Sequence, residues 1–277
     1  LKMDFLGLRT LTVIQNAVQL AKSKNPELDM DQIDYNDKQV LSYIGTGKTD
    51  GIFQLESGGM KGFMKELKPN SLEDIIAGIS LYRPGPMDFI PKYIQGKNHP
   101  DAVTYACPQL EPILKPTYGC IVYQEQVMQI VRDLAGYSLG RSDLVRRAMS
   151  KKKTSVMEKE RQNFIYGNPE ENVPGCISNG IDEKTANKIY DDMIDFAKYA
   201  FNKSHAACYA VVAYQTAYLK TYYPVEFMAA LMTSVVDNTD KVAGYIYACR
   251  QTGCAMLCES SVQEVMDLTP VAHLSAI

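Results

Sequence analysis

What this sequence most plainly lacks is an excess of positive charge: 29 lysines and arginines stand against 32 aspartates and glutamates, for a net charge of -3. That balance, with a pI near 5.7, excludes the basic body of a simple nucleic-acid coat, so any contact with nucleic acid has to be local. The first fifteen residues lack the ordered basic, apolar and small-residue regions of a signal peptide. Long hydrophobic runs are missing too. The most apolar helix candidate, residues 206–219, is shorter than the roughly 18 residues that span a bilayer, and it carries Gln215, Thr216 and three tyrosines. The seven cysteines are odd in number and follow no even spacing, which suits a reducing compartment better than a disulfide framework. We therefore expect a cytoplasmic protein. Repeats and low-complexity segments are absent, and strand signals are confined to residues 1–6 and 51–55. Leu1 rather than Met stands directly before the first of these, and we expect the sequence to begin inside a larger gene product.

What is present is a helical pattern over most of 277 residues, 46% of them hydrophobic, enough for a substantial core in one large or two modest domains. Leu8, Leu11, Gln15, Val18 and Ala21 share a helical face. Asp37 caps a short helix through Ile44 that Gly45 stops, and another runs from Met60 to Leu67 before Pro69. Ser71-Leu72-Glu73-Asp74 is a capping-box-like start for Ile75, Ile76, Ile79 and Leu81, ended by Pro84-Gly85-Pro86. From Gln124 to Leu134, Val127, Ile130, Val131 and Leu134 point inward until Gly136. Asp182 opens a long helix striped by Ala186, Ile189, Met193, Phe196 and Ala200. The apolar helix beyond His205 runs to Tyr222, and Pro224 stands in the first turn of another that reaches about Val235.

Several constellations bear on chemistry. Between Arg132 and Arg161 lie Arg141, Arg146, Arg147, Lys151, Lys152, Lys153 and Lys159, against Asp133, Asp143, Glu158 and Glu160. Arginine offers a planar fork to phosphate oxygens and lysine a point charge, although such a run also serves as a plain solvated face. Phe201-Asn202-Lys203-Ser204-His205 precedes a helix, where backbone N–H groups, a Lys, a Ser and a His make an anion site and Asn202 or Ser204 equally makes an N-cap. The Pro-Gly-Pro run holds Arg83 at a defined place or simply ends a helix. Gly58-Gly59-Met60-Lys61 either brings backbone to a ligand or turns the chain. In a strand at residues 1–6, Lys2 and Asp4 project to one side, a carboxylate for Mg²⁺ beside a lysine for phosphate. One carboxylate does not make a two-metal site. Cys249, Cys254, Cys258 and His273 could ligate zinc, but no CxxC pair is present and the spacing is loose.

The order of these segments is specific. Lys2-Met3-Asp4-Phe5-Leu6-Gly7-Leu8-Arg9-Thr10-Leu11-Thr12, Phe53-Gln54-Leu55-Glu56-Ser57 and Leu81-Tyr82-Arg83-Pro84-Gly85-Pro86 resemble the C-family of bacterial replicative DNA polymerases, the DNA polymerase III alpha subunits. So do Tyr118-Gly119 with Tyr123-Gln124-Glu125-Gln126-Val127-Met128, Arg146-Arg147-Ala148-Met149 with Lys151-Lys152-Lys153, Phe201-Asn202-Lys203-Ser204-His205-Ala206, and Tyr214-Gln215-Thr216 with Pro224-Val225-Glu226-Phe227-Met228.

The resemblance implies a mainly α fold: a helical fingers domain at residues 13–250, with residues 1–12 as a short β remnant of a nucleotidyltransferase-like palm. Residues 251–277 depart from the family's wording as a divergent tail. It further implies that Asp4 is the catalytic and metal-binding third of three aspartates for Mg²⁺, the other two lying in an upstream motif that this sequence does not contain. Lys2, Arg146 and Arg147 would meet the incoming dNTP. Lys61, Arg83, Lys151, Lys152, Lys153, Lys203, Ser204 and His205 are further candidates for nucleotide or primer–template contacts, and the sliding clamp would bind regions not present here. The implied activity is template-directed nucleotidyl transfer, with the fragment inactive alone. A non-catalytic helical module that holds DNA or nucleotide is the alternative.

Overall fold

A computed structural model of the chain describes residues 7–150, 154–197 and 201–252. Among them are thirteen α-helices: α1 Arg9–Ala21, α2 Lys38–Gly45, α3 Gly58–Leu67, α4 Leu72–Leu81, α5 Ile90–Asn98, α6 Glu111–Leu114, α7 Gln124–Ala135, α8 Leu139–Ser150, α9 Thr154–Tyr166, α10 Glu183–Ala197, α11 Lys203–Tyr222, α12 Pro224–Thr233 and α13 Thr239–Thr252. The described residues contain no strand, only isolated bridges joining Tyr123 to Phe201 and Asn168 to Val173.

The mainly α expectation holds. The strand expected at 51–55 does not, because those residues fold back in turns. The Thr49 hydroxyl donates to the Leu55 carbonyl, the Phe53 N–H donates to the Thr216 hydroxyl at 3.1 Å, and Gln54 adopts a left-handed φ of 64°. Local and side-chain bonds have taken the groups that a ladder would use. The strand expected at residues 1–6 lies outside the described residues.

Helix ends follow the sequence closely. The Asp37 carboxylate accepts from the N–H groups of Gln39 and Val40 at 2.8 and 3.2 Å, Ser71 accepts from Asp74 at 3.3 Å, and Asp182 accepts from Thr185 at 3.0 Å. Each such cap is typically worth about 1 kcal/mol. Gly136, with φ 78°, closes α7. In α1 the pattern misleads: Val13, Ile14, Ala17 and Ala21 form the buried side against α12, whereas Leu11 is 52% exposed and Gln15 is also exposed.

The core has three parts. Helices α7 to α10 enclose one, centred on Val127, Ile130, Phe164, Ile189 and Tyr190. Helices α2, α3 and α4 close on α11 to form the second, and α1, α12 and α13 meet the last turns of α11 in the third. Ala206, Ala210, Ala213 and Ala217 give α11 a face of small side chains, which lets α4 approach closely along it. Buried charge ties α4 to α5: Lys97 pairs with Asp74, whose carboxylate also accepts from the Asn70 N–H at 2.9 Å. The side-chain amide of Gln126, 5% exposed, accepts from Val122 and Tyr123 N–H at 2.8 and 3.0 Å and donates to Thr117 at 2.8 Å. That network fixes the segment entering α7, where the candidate site is built.

Candidate nucleotide and nucleic-acid site

One backbone pairing organises the site. The Gln124 N–H donates to the Phe201 carbonyl at 2.9 Å, and the Phe201 N–H donates to the Val122 carbonyl at 3.3 Å. One side of this parallel bridge leads into α7 and the other into α11, so two helix N-termini begin from one place, each carrying partial positive charge.

Cationic side chains gather on it from the end of α4, from α8 and from α11 itself. The Arg83 guanidinium, just past α4, lies 3.7 Å from the centre of the Phe201 ring. Arg146, on α8, donates to the Gln124 side-chain carbonyl at 2.9 Å and through Nε and Nη2 to Asp143 at 2.9 and 2.7 Å. Arg147 Nε meets the other oxygen of Asp143 at 2.7 Å, with 62% of its side chain exposed. Lys203 Nζ stands 3.0 Å from Glu73 and 5.2 Å from the Tyr123 ring centre. Ser204 is exposed, and the His205 ring sits between those of Phe201 and Tyr209, at 5.4 and 4.3 Å.

The carboxylates are as informative as the cations. Asp143 is held below the usual carboxylate range, first by the bond from Arg146 and then, against the opposing effect of burial, by the charges of Arg146 and Arg147. Glu125 accepts the Lys203 N–H through both oxygens at 3.1 Å, and Asn202 accepts from His205 at 2.9 Å. Of the two readings of 201–205, the N-cap is formed by Asn202, and the Lys203 N–H is taken by the Glu125 carboxylate. Toward an outside anion this leaves the side chains. Near-surface pairs of this kind are individually weak, so a phosphate can exchange for the carboxylate partner of an arginine fork at small cost.

The bacterial DNA polymerase III alpha subunit finger domain is the family whose model matches residues 10–172. The chain belongs to that family. The DNA polymerase III subunit alpha of Thermus aquaticus is 51% identical over 263 residues, covering 93% of this chain and 21% of the relative. That of Bacillus subtilis (strain 168) is 46% identical over 258 residues, covering 93% and 22%, and that of Campylobacter jejuni is 49% identical over 249 residues, covering 89% and 20%. The chain thus spans about a fifth of the length of the curated relatives it matches.

Within this finger-domain chain, the structure brings together Arg83, Arg146, Arg147, Lys203, Ser204 and His205. Lys61 stands apart, paired with Asp50 at 2.5 Å. Gly59 approaches a side chain rather than a ligand, because the Tyr82 hydroxyl occupies the place a Cβ would take. Lys2, Asp4, Lys151, Lys152 and Lys153 lie outside the described residues. The basic stretch also proves less unbalanced than its sequence: Arg141 pairs with Glu160 at 2.9 Å and with Glu171, and Arg161 with Asp191 at 2.5 Å, and two of those carboxylates come from beyond the stretch.

No group of three or more His, Cys, Asp or Glu among the described residues is placed to hold a metal ion. Cys249 is buried in the third core, and Cys254, Cys258 and His273 lie outside the described residues. No helix among the described residues is long and apolar enough to cross a membrane. Sequence reasoning missed Gln124, Glu125, Glu73 and Asp143 as the partners that hold the cations. The motif containing Tyr123-Gln124-Glu125-Gln126 was in view, but nothing local tied it to Phe201 or Arg146.

Proposed function

We propose that this chain is the fingers part of a bacterial replicative DNA-directed DNA polymerase, residues 13–250, with residues 1–12 the edge of its palm and residues 251–277 a divergent tail. Convergence of Arg83, Arg146, Arg147 and Lys203 on the Gln124–Phe201 bridge, within a finger-domain chain, is the observation that carries this reading. Arg146 and Arg147 face the triphosphate of the incoming dNTP, where guanidinium forks neutralise charge on the phosphates. Arg83, Lys203, Ser204 and His205 take the neighbouring phosphates or bases of primer–template DNA. Lys2 is a phosphate contact at the palm edge. Mg²⁺ belongs on Asp4 together with aspartates outside this sequence, and supplies there the activation of the primer hydroxyl and the stabilisation of the leaving pyrophosphate. The chain alone is inactive on this reading, and the sliding clamp binds elsewhere on the full-length subunit.

The test is to put this chain in place of the matching segment of the Thermus aquaticus relative and follow primer extension in Mg²⁺. Template-directed extension is expected, lost in Asp4→Asn with primer–template binding retained. A chimera that binds primer–template but never extends it overturns the catalytic assignment and leaves a non-catalytic DNA-binding module.

A further inference from the structure

A pocket of about 420 Å³ opens between the turn at residues 53–57, the end of α4 and α11. Its walls are the half-exposed rings of Phe53, Tyr82 and Tyr209. Met60 and Ile79, 4% and 5% exposed, form an apolar floor. Gln54, Glu56 and Arg83 stand at the rim, all exposed. The rim carries one guanidinium and one carboxylate, so net charge alone selects no ligand. Glu56 is already engaged, because its Oε2 accepts from the Gly51 N–H and the Tyr245 hydroxyl, both at 3.1 Å. The Gln54 amide makes no hydrogen bond with other described residues, and the Arg83 guanidinium has only the Phe201 ring.

Three aromatic walls over an apolar floor take a flat ring, and the rim takes hydrogen bonds along its edge. A nucleobase has both. Its π faces suit Phe53, Tyr82 and Tyr209, and the donors and acceptors of its edge suit the Gln54 amide, which supplies both kinds. Arg83 offers a planar fork to the phosphate that such a base carries. Gln54 also holds a left-handed φ of 64°, a region that a non-glycine residue enters at a cost. The base has to be unpaired, because a base in a duplex shows neither its faces nor its Watson–Crick edge.

The pocket is continuous with the cationic cluster. Phe201 stands just before α11, and His205 and Tyr209 follow at four-residue spacing along one stripe of that helix. Ring centres step from Phe53 to Tyr209 at 5.2 Å, on to His205 at 4.3 Å and to Phe201 at 5.4 Å, where Arg83 closes the series at 3.7 Å. None of the four rings is buried. A row of accessible rings beside phosphate-binding cations is the arrangement that holds single strands without sequence preference. A free nucleotide would use the pocket alone, whereas a strand uses the whole row.

We infer that the pocket between Phe53, Tyr82 and Tyr209 receives an unpaired base of single-stranded DNA, with its phosphate on Arg83 and the strand continuing along His205 and Phe201. Single-strand binding stands on the pocket and the row of rings. That the strand is unpaired template ahead of the primer end rests on the function proposed above.

A fluorescein-labelled ten-nucleotide single strand and its fully abasic counterpart, equal in length and charge, test the site by anisotropy on the full chain at fixed salt. The abasic strand should bind about tenfold more weakly or worse, as loss of base stacking requires. Phe53→Leu and Tyr209→Leu should each weaken the ordinary strand about fivefold and leave the abasic one unmoved, and Tyr209→Phe should restore binding. Circular dichroism checks the fold of each variant. Equal affinity for the two strands overturns the site without recourse to a variant, and so does indifference of the folded leucine variants. Binding of dAMP as tight as that of the strand overturns the row and leaves a nucleotide pocket. A 5′ template overhang should tighten duplex binding about fivefold, a gain lost in Tyr209→Leu; no gain overturns the template assignment. A blunt duplex separates this inference from the polymerase reading. Duplex binding with base-independent single-strand binding rejects the pocket alone. Base-dependent single-strand binding without duplex binding contradicts the polymerase reading alone, and a chain that binds neither rejects both.

Discussion

The Arg83 guanidinium lies over the ring of Phe201, 3.7 Å from its centre, and so joins the end of α4 to the start of α11, two helices that pack on each other. The Pro84-Gly85-Pro86 run, with Gly85 at φ 102°, stops α4 and keeps the arginine from following the helix. Arginine on an aromatic face is worth about 0.5–1 kcal/mol when partly exposed. Arg83→Ala should lower the unfolding free energy measured by urea by that amount, with a corresponding fall in the midpoint. Phe201→Leu, which keeps apolar bulk and removes the π face, should cost a similar amount for the same contact, and the double variant should show coupling of that size. Strict additivity would mean that the contact carries no energy.

Asp143 shares its carboxylate between Arg146 and Arg147, and its proton affinity is lowered chiefly by the bond from Arg146. A carboxyl whose folded pKa is depressed contributes stability above its unfolded pKa, near 3.9, and loses it as pH falls through the folded value. The Arg146 contact should therefore persist at neutral pH and weaken below about pH 4. Asp143→Asn should abolish that acid transition. Titration of the Arg146 Nε–H resonance between neutral and acid pH checks both statements, and a transition surviving in the variant assigns it elsewhere.

Gly59 stands in α3 with the Tyr82 hydroxyl where a Cβ would be. Gly59→Ala gains helix propensity of about 1 kcal/mol but has to displace Tyr82 from its stack on Phe63, at 6.1 Å between ring centres. The net effect expected is a lower melting temperature. In a Tyr82→Ala background the same substitution should be neutral or stabilising, and a double-mutant cycle read by thermal melting measures the difference.

Asp37 caps α2 and also accepts from the Tyr222 hydroxyl at 2.7 Å, the bond that most lowers its carboxyl's pKa and that pushes the Tyr222 phenol up to about 12. Asp37→Ala should cost about 1–2 kcal/mol through loss of the cap, with Tyr222→Phe costing less. A melting curve unmoved by Asp37→Ala would deny the cap any energetic role.

The local part of this fold was legible in the sequence. Asp37, Ser71 and Asp182 announced their helix starts because each needs only its own next three residues, and Gly136 announced a stop for the same reason; at 201–205 the sequence left the cap between Asn202 and Ser204, and Asn202 takes it. The α1 stripe and the false strand at 51–55 were not legible, because α12 decides which face of α1 is buried and because Thr216 supplies the partner for Phe53. The site divides in the same way. Arg146, Arg147 and Lys203 stood out as residue types, whereas their partners Gln124 and Glu125 became visible only when a single backbone bridge brought the starts of α7 and α11 together.

That bridge and its cations are tested most directly by the salt dependence of primer–template binding, followed by fluorescence anisotropy on the chain and on Arg83→Ala, Arg146→Ala and Lys203→Ala. Each cation that meets a phosphate contributes about one to the slope of log affinity against log salt. Each substitution should therefore weaken binding and flatten the slope by about that much. Identical slopes and affinities in all four proteins would show that the cations around Gln124 and Phe201 serve the fold and not the nucleic acid.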